Sequence, residues 1–256
     1  LTVTSGDTGK AALESFSNVS GTKIIVFYPS RGVSLVQERQ MTTQEGANTF
    51  VCAIERNFDD AQTGVKNIFN NLEFNKKLAE HNMMFSSANS INIGRLVPQI
   101  AYYVNAYIKL IEKGEIAEDE EINIVVPTGN FGNILAAYYA KGMGLPVNKL
   151  ICASNENNVL YEFINTGVYN RMRDLKFTMS PSMDILISSN LERLIYELCD
   201  KDTEKLSGLF SDLAQKGVFE INWEMKEKLS DFWGGYATEQ QTLDAINDAY
   251  NNYNYL

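Results

Sequence analysis

The sequence is poor in the residues that metal centres and disulfide frameworks use. It contains one histidine, His81, and three cysteines, Cys52, Cys152 and Cys199, among 256 residues. Zinc sites and small disulfide scaffolds need several such residues at short spacings, and these cysteines are far apart. Cys52 and Cys152 lie in strand-like runs, so we expect both to be small core residues of a cytoplasmic protein. We predict neither a metal site nor a histidine-based triad.

The sequence also lacks an excess of basic charge and any long apolar run. Its formal net charge is −10 and its isoelectric point is near 4.7, which argues against a nucleic-acid or membrane-surface partner. No apolar run approaches the length of a membrane span. The remaining composition, 45% hydrophobic and 21% charged, is ordinary for a globular protein with a buried core.

Strand-like and helix-like segments alternate along the chain. Apolar, β-branched runs predict strands at residues 22–28, 48–54, 122–126 and 147–153, with helical segments between them. Such alternation builds βαβ units and so a mostly parallel sheet. We therefore predict an α/β fold, with later helices near residues 203–215 and 223–233. A last helix starts at Thr238, where Gln241 completes a capping box.

The stretch Pro127 to Asn133, PTGNFGN, follows a strand-like run and precedes a helical one. Gly129 and Gly132 allow the backbone to curl and approach an anion, towards which the first N–H groups of the helix point. The stretch matches neither the GxGxxG nor the Walker A pattern. On these residues alone, an ordinary βα turn and a phosphate-binding turn are equally good interpretations.

Two further polar stretches have a structural and a functional interpretation. In the turn Ser5 to Gly9, SGDTG, Ser5 or Asp7 could be a helix N-cap, or the same N–H groups could hold a carboxylate or phosphate. Arg95 follows the polar loop 86–92 and is either a surface arginine or one that pairs with an anion.

Six segments of the chain resemble threonine synthase, a pyridoxal-phosphate enzyme of the tryptophan-synthase-β structural family. They occur in the family's order and cover most of the chain up to about Leu194, at residues 4–12, 33–41, 86–99, 125–136, 153–160 and 180–194. The resemblance implies two parallel-sheet α/β domains of the tryptophan-synthase-β-like type. Residues 1–90 would form a small domain, and residues 91–256 would form part of the large domain, which would be incomplete.

The resemblance also implies a cofactor, a reaction and site residues. Pyridoxal phosphate would act as an electron sink while O-phosphohomoserine and water are converted to threonine and phosphate. The cofactor phosphate would be held by Gly129, Asn130, Phe131, Gly132 and Asn133. The small-molecule substrate would contact Ser5, Asp7, Thr8, Ser90, Asn92 and Arg95.

Two features of the family do not occur in the sequence. The family's Schiff-base lysine lies in a Phe-Lys-Asp context upstream of the SGDTG turn, and the partner of its pyridine nitrogen lies in a segment like DPHTA. Lys10 and Lys23, the lysines nearest the turn, have no such context. We therefore expect a part of a longer polypeptide, truncated at both ends, that contains no catalytic lysine and is inactive alone.

Three alternatives stay open. The first is another pyridoxal-phosphate enzyme of β-elimination or replacement, such as a relative of threonine dehydratase or cysteine synthase. The NSIN and PSMDI segments favour the synthase over these relatives. The second is a non-catalytic phosphate- or nucleotide-binding α/β module, which would explain the missing lysine. The third is a structured fragment that binds no ligand tightly.

Overall fold

The computed structural model of the chain describes residues 1–4, 6–56 and 58–255. These residues form two compact units, Leu1–Arg95 and Leu96–Leu256. No helix of the described part combines the length and the apolar character that a membrane crossing requires. In the same residues, no three His, Cys, Asp or Glu side chains are grouped to hold a metal ion.

The first unit is built on a three-stranded parallel sheet. Its elements are β1 (Thr2–Val3), α1 (Asp7–Phe16), β2 (Ile24–Pro29), α2 (Leu35–Thr42), β3 (Thr49–Ile54), α3 (Phe58–Asn70) and α4 (Leu72–Glu80), with α5 (Ile93–Leu96) at its end. The strand order is β1–β2–β3, so β2 is the central strand. Leu13 of α1, Val26 of β2 and Met41 of α2 are fully buried together. The predicted βαβ pattern is therefore present in this unit.

The second unit contains a parallel sheet of order β4–β5–β8 and a small antiparallel pair, β6–β7. Its elements are α6 (Ile100–Glu112), β4 (Ile122–Pro127), α7 (Gly132–Gly142), β5 (Val147–Ser154), α8 (Val159–Thr166), β6 (Val168–Asn170), α9 (Leu191–Leu198), α10 (Thr203–Lys216), β7 (Val218–Glu220), α11 (Trp223–Lys228), β8 (Phe232–Tyr236) and α12 (Glu239–Tyr253). Most of its buried apolar side chains form one cluster around β5, α7, α8 and α9.

The two faces of the β4–β5–β8 sheet differ in burial. Successive residues of a strand point to opposite faces, and paired residues of neighbouring strands share a face. The row of Val126, Cys152 and Gly234 is on the covered face, where Val126 is 5% exposed. The next row contains Val125, Ile151 and Trp233, and there Val125 and Trp233 are 60% and 61% exposed. The unit therefore has one packed face and one open apolar face.

The predicted helix at residues 223–233 is wrong at its end. Helix α11 stops at Lys228, and Phe232–Tyr236 is instead a strand that pairs with β5. Gly234 suits this strand because a Cβ there would lie 2.9 Å from the side-chain nitrogen of Asn165 and 3.0 Å from the carbonyl oxygen of Tyr161. A larger residue would keep helix α8 from packing closely on the strand.

The prediction that Cys52 is a core residue is also wrong. Strand β3 lies at the edge of its sheet, and Cys52 is exposed. Cys152, on the central strand β5, is fully buried, and this burial raises the pKa of its thiol to about 12. The capping box is confirmed, because Thr238 Oγ1 accepts from the amide of Gln241 and the Gln241 side chain accepts from the amide of Thr238.

Adjacent valines on opposite faces of β4 test this burial pattern. We expect Val126→Ala to lower the free energy of unfolding by about 1–3 kcal/mol, because it opens a cavity in the packed face. Val125→Ala, the matched control, should change it by about 0.5 kcal/mol or less, as is usual for exposed positions. Urea unfolding followed by circular dichroism measures both. Equal losses for the two variants would contradict the assignment of an open face.

Candidate functional site

The PTGNFGN stretch begins where β4 leaves the sheet. The amide of Thr128 donates to the carbonyl oxygen of Ala153 at 2.8 Å, which continues the pairing of β4 with β5 by one residue. The Thr128 hydroxyl donates to the carbonyl oxygen of Val126 at 2.6 Å. Residues 129–133, here called the GNFGN loop, therefore start at the carboxyl edge of the sheet, where open α/β folds bind ligands.

The backbone turns in the GNFGN loop at Phe131. This residue has φ = 63°, in the left-handed region, and precedes α7 as its N-cap. Neither Gly129 nor Gly132 has a positive φ, so the prediction that these glycines provide the curl is wrong. The Phe131 ring is buried and lies 5.8 Å from the ring of Phe232, and this packing offsets the backbone strain.

Glycine is required at position 129 for a different reason, because the backbone of another segment lies very close to it. A Cβ at this position would lie 3.0 Å from the carbonyl oxygen of Ser182 and 3.5 Å from Cα of Met183. The segment Pro181–Met183 therefore lies directly against the start of the loop. Any side chain at position 129 would have to displace backbone.

A run of backbone donors in the loop is available for an anion. Among the residues that the structure describes, the amides of Asn130, Phe131, Gly132 and Asn133 have no hydrogen-bond acceptor, and α7 has no side-chain cap. The N-terminal N–H groups of a helix carry partial positive charge and suit a phosphate. The donor set present thus fits the phosphate of a small ligand.

The side chain of Asn133 is occupied by contacts within the second unit. The Tyr103 hydroxyl donates to Asn133 Oδ1 at 2.6 Å, and Asn133 Nδ2 donates to Gln99 Oε1 at 2.8 Å. Burial raises the pKa of Tyr103 to about 12, so its hydroxyl remains a neutral donor at physiological pH. These bonds fix the first turn of α7, so Asn133 can offer only its backbone N–H to a ligand.

A buried carboxylate holds the segment that lies against Gly129. Asp184 accepts from Asn155 Nδ2 at 2.7 Å, from Asn157 Nδ2 at 3.0 Å, and from both the amide and the hydroxyl of Thr178 at 2.8 and 2.7 Å. Asn157 also pairs with the backbone N–H and C=O of Lys176 through its amide. The asparagines after β5 therefore shape this edge of the sheet.

In the first unit, the SGDTG turn is capped by a residue that the sequence analysis did not single out. Thr4 Oγ1 accepts from the amides of Gly6 and Gly9, both at 2.9 Å. The N-cap position of α1 is Gly6, with φ = 145°, and it makes no side-chain cap bond. The structural interpretation of Asp7 as the N-cap is therefore wrong. Ser5, the other predicted N-cap and a predicted substrate contact, lies outside the described residues.

The structure brings three of the predicted substrate contacts to the start of α1. Arg95 Nη2 lies 3.4 Å from the hydroxyl of Thr8, and Arg95 Nη1 donates to the carbonyl oxygen of Ala88 at 2.9 Å. Asp7 is exposed and accepts from Gln37 Nε2 at 2.6 Å. A carboxylate and a guanidinium are thus presented at the same end of the first sheet.

The other predicted contacts, Ser90 and Asn92, lie in the loop 86–92. Asn89 ties this loop to β1, because its side-chain amide pairs with both the N–H and the C=O of Val3. Asn92 Nδ2 donates to the carbonyl oxygen of Ser87 at 2.7 Å, and Asn92 Oδ1 accepts from the amide of Gly94 at 2.9 Å. Asn92 therefore shapes the turn that leads into α5.

The first unit also has a cavity of about 770 Å³, lined by residues such as Phe16, Ile24, Leu78 and Phe85. Of the predicted substrate contacts that the structure describes, only Asn92 lines it. Its lining is mainly apolar, and it lacks the carboxylate and guanidinium found at the start of α1.

Comparisons with known proteins find threonine synthases and threonine synthase-like proteins as homologues of the chain. No protein-family model matches it. It is 44% identical over 264 residues to human threonine synthase-like 1, covering all of this chain and 36% of that protein. It is 37% identical to threonine synthase of Saccharomyces cerevisiae, covering 96% of this chain and 48% of that protein.

A solved structure agrees with these sequence relatives. The pyridoxal-phosphate-bound threonine synthase from Brucella melitensis superposes with a TM-score of 0.86 at 42% identity, covering 100% of this chain and 53% of that one. The chain thus spans about half the length, or less, of the relatives it matches. Over its whole length, the chain is homologous to threonine synthases and threonine synthase-like proteins and shares their α/β fold.

Proposed function

We propose that the chain is part of a pyridoxal-phosphate-dependent enzyme of the threonine synthase type. The observation that carries the proposal is the run of acceptor-free amides in the GNFGN loop, in a chain that is 42% identical to a pyridoxal-phosphate-bound threonine synthase. Bound there, the cofactor would supply an electron sink for eliminating phosphate from the substrate. Three free cysteines support a reducing, cytoplasmic location.

The role proposed for the GNFGN loop is to hold the cofactor phosphate. Gly129, Asn130, Phe131, Gly132 and Asn133 would do so through backbone N–H groups, which stabilise an anion by hydrogen bonds and partial positive charge. The fixed first turn of α7 means that these donors need little reorganisation when the ligand arrives.

The role proposed for the start of α1 is to bind the substrate, which we infer to be O-phosphohomoserine. Arg95 would pair with its phosphate, because a guanidinium matches the geometry of an oxyanion. The SGDTG turn, with Ser5, Asp7 and Thr8, would face its amino-acid end, and Ser90 and Asn92 would shape the wall next to Arg95.

A non-catalytic phosphate-binding role is the second candidate. One observation favours it: the backbone amides of the GNFGN loop could hold a phosphate group without the participation of a catalytic side chain. In that case the chain would bind pyridoxal phosphate reversibly and would not eliminate phosphate from the substrate.

The first prediction compares pyridoxal phosphate with pyridoxal. Pyridoxal phosphate should bind saturably and at least about tenfold more tightly, because only its phosphate can use the loop amides. Gly129→Ala should weaken its binding, since the added Cβ meets the carbonyl of Ser182, whereas Gly142→Ala should not, since no atom lies within 4 Å of a Cβ there. Fluorescence titration measures these affinities. Equal binding of pyridoxal and pyridoxal phosphate would count against the proposed loop.

The second prediction concerns covalent attachment. After incubation with pyridoxal phosphate and reduction with borohydride, we expect no lysine to be labelled stoichiometrically, because none has the sequence context of the family's attachment site. Intact mass and peptide mapping provide the measurement. One lysine labelled in a one-to-one ratio would show that the chain forms its own covalent link, and it would count against the non-catalytic alternative.

The third prediction tests Arg95. Arg95→Gln should weaken binding of O-phosphohomoserine by about tenfold or more, because it removes the charge that pairs with phosphate. Arg39→Gln is the matched control, since Arg39 is also exposed and lies on α2. Isothermal titration calorimetry at low salt measures both. Unchanged binding in the Arg95 variant would assign the substrate phosphate to other residues.

A further inference from the structure

The GNFGN loop is attached through its carbonyl groups to a segment almost sixty residues later in the chain. Ser188 Oγ donates to the carbonyl oxygen of Gly129 at 2.8 Å. Asn190 donates to the carbonyl oxygen of Asn130 twice, from its side-chain Nδ2 at 2.9 Å and from its backbone N–H at 3.1 Å. Ser188 is 4% exposed and Asn190 is fully buried, so water cannot easily replace either donor.

These bonds determine the direction in which two loop amides point. In a planar trans peptide, the C=O and the N–H lie on opposite sides of the chain, and the described residues contain no cis peptide. When the carbonyl of Gly129 faces Ser188, the N–H of Asn130 must face away from it. For the same reason, the bonds from Asn190 to the carbonyl of Asn130 turn the N–H of Phe131 to the side opposite Asn190.

The two donors are themselves held in place. The amide of Ser188 donates to the hydroxyl of Tyr169 at 2.9 Å, and that hydroxyl donates to the carbonyl of Leu186 at 3.0 Å. Tyr169 is buried and stacks on Phe219 with ring centroids 5.3 Å apart. Arg193 donates to Asn190 Oδ1. Because a guanidinium can only donate, the Asn190 amide must present its nitrogen to the loop.

We propose that Ser188 and Asn190 are positioning residues for the anion site. By fixing the peptide planes of Gly129–Asn130 and Asn130–Phe131, they aim the N–H groups of Asn130 and Phe131 at the bound phosphate. This inference rests on the proposed function of the GNFGN loop. Neither side chain would need to touch the ligand itself, because each acts through one backbone carbonyl.

The test follows individual amides by ¹H–¹⁵N NMR of the whole chain during titration with pyridoxal phosphate. In the wild type, the resonances of Asn130 to Asn133 should move as the ligand binds. In Ser188→Ala, the response of the Asn130 amide should be lost while that of Asn133 remains, and the Kd should rise about 2- to 10-fold. In Asn190→Ala, the amide of Phe131 should lose its response.

Ser189→Ala is the matched control. Its hydroxyl comes from the same segment but donates at 3.2 Å to the side-chain Oδ1 of Asn130, not to a backbone carbonyl. Its titration should equal that of the wild type. A thermal scan establishes that each variant is folded. If Asn190→Ala does not fold, Ser188→Ala still tests the inference, because it removes only a single oxygen atom.

The outcomes separate this inference from the function on which it rests. If no loop amide of the wild type responds to pyridoxal phosphate, the proposed phosphate site is wrong, and the positioning role is wrong with it. If the wild type responds and Ser188→Ala keeps the Asn130 response, the positioning role alone is overturned. A higher Kd with every amide response retained would also overturn it, because it would indicate a general loss of structure.

Discussion

The pairing of β5 with strands on both sides determines the arrangement of the second unit. This strand lies between β4 and β8, and on each side the ladder continues one residue beyond the neighbouring strand. The amide of Thr128 donates to Ala153 O, and the amide of Ala237 donates to Ser154 O. Because parallel strands end at one edge of the sheet, the GNFGN loop, the asparagines after β5 and the residues before α12 all start there.

Much of the fold could be predicted from local sequence patterns, because these patterns reflect interactions between residues that are close together in the sequence. The capping box at Thr238 involves only residues three apart, and the apolar runs of β2, β4 and β5 are long enough to be recognised. The structure of Phe232–Tyr236 could not be predicted in this way. Its strand conformation depends on pairing with β5, some eighty residues earlier, and on the packing of α8 against Gly234. The exposure of Cys52 likewise depends on β3 being an edge strand, which no local pattern shows.

The position of the GNFGN loop between β4 and α7 could be predicted from the sequence, but the conformation and contacts of the loop could not. A strand, a glycine-containing turn and a helix in succession indicate an anion site, and that succession is local. The residue that adopts the left-handed conformation could not be identified from the sequence. Glycine adopts a positive φ most readily, so the two glycines of the loop were expected there and not Phe131. The anchors Ser188 and Asn190 lie 59 and 60 residues from their partners in the chain. Their segment did contribute to the family resemblance, yet only the folded chain shows which carbonyls it binds.

The conformation of Phe131 also limits how position 131 can change during evolution. Glycine or asparagine would adopt φ = 63° with less strain, but neither would fill the space that the buried ring occupies beside Phe232. Isoleucine and valine would fill part of that space, but their branched Cβ disfavours the left-handed region most strongly. Few residue types satisfy both demands, so a substitution at 131 would need compensating changes in the core beneath it. The left-handed turn thus couples the residue choice in the GNFGN loop to the packing of the hydrophobic core.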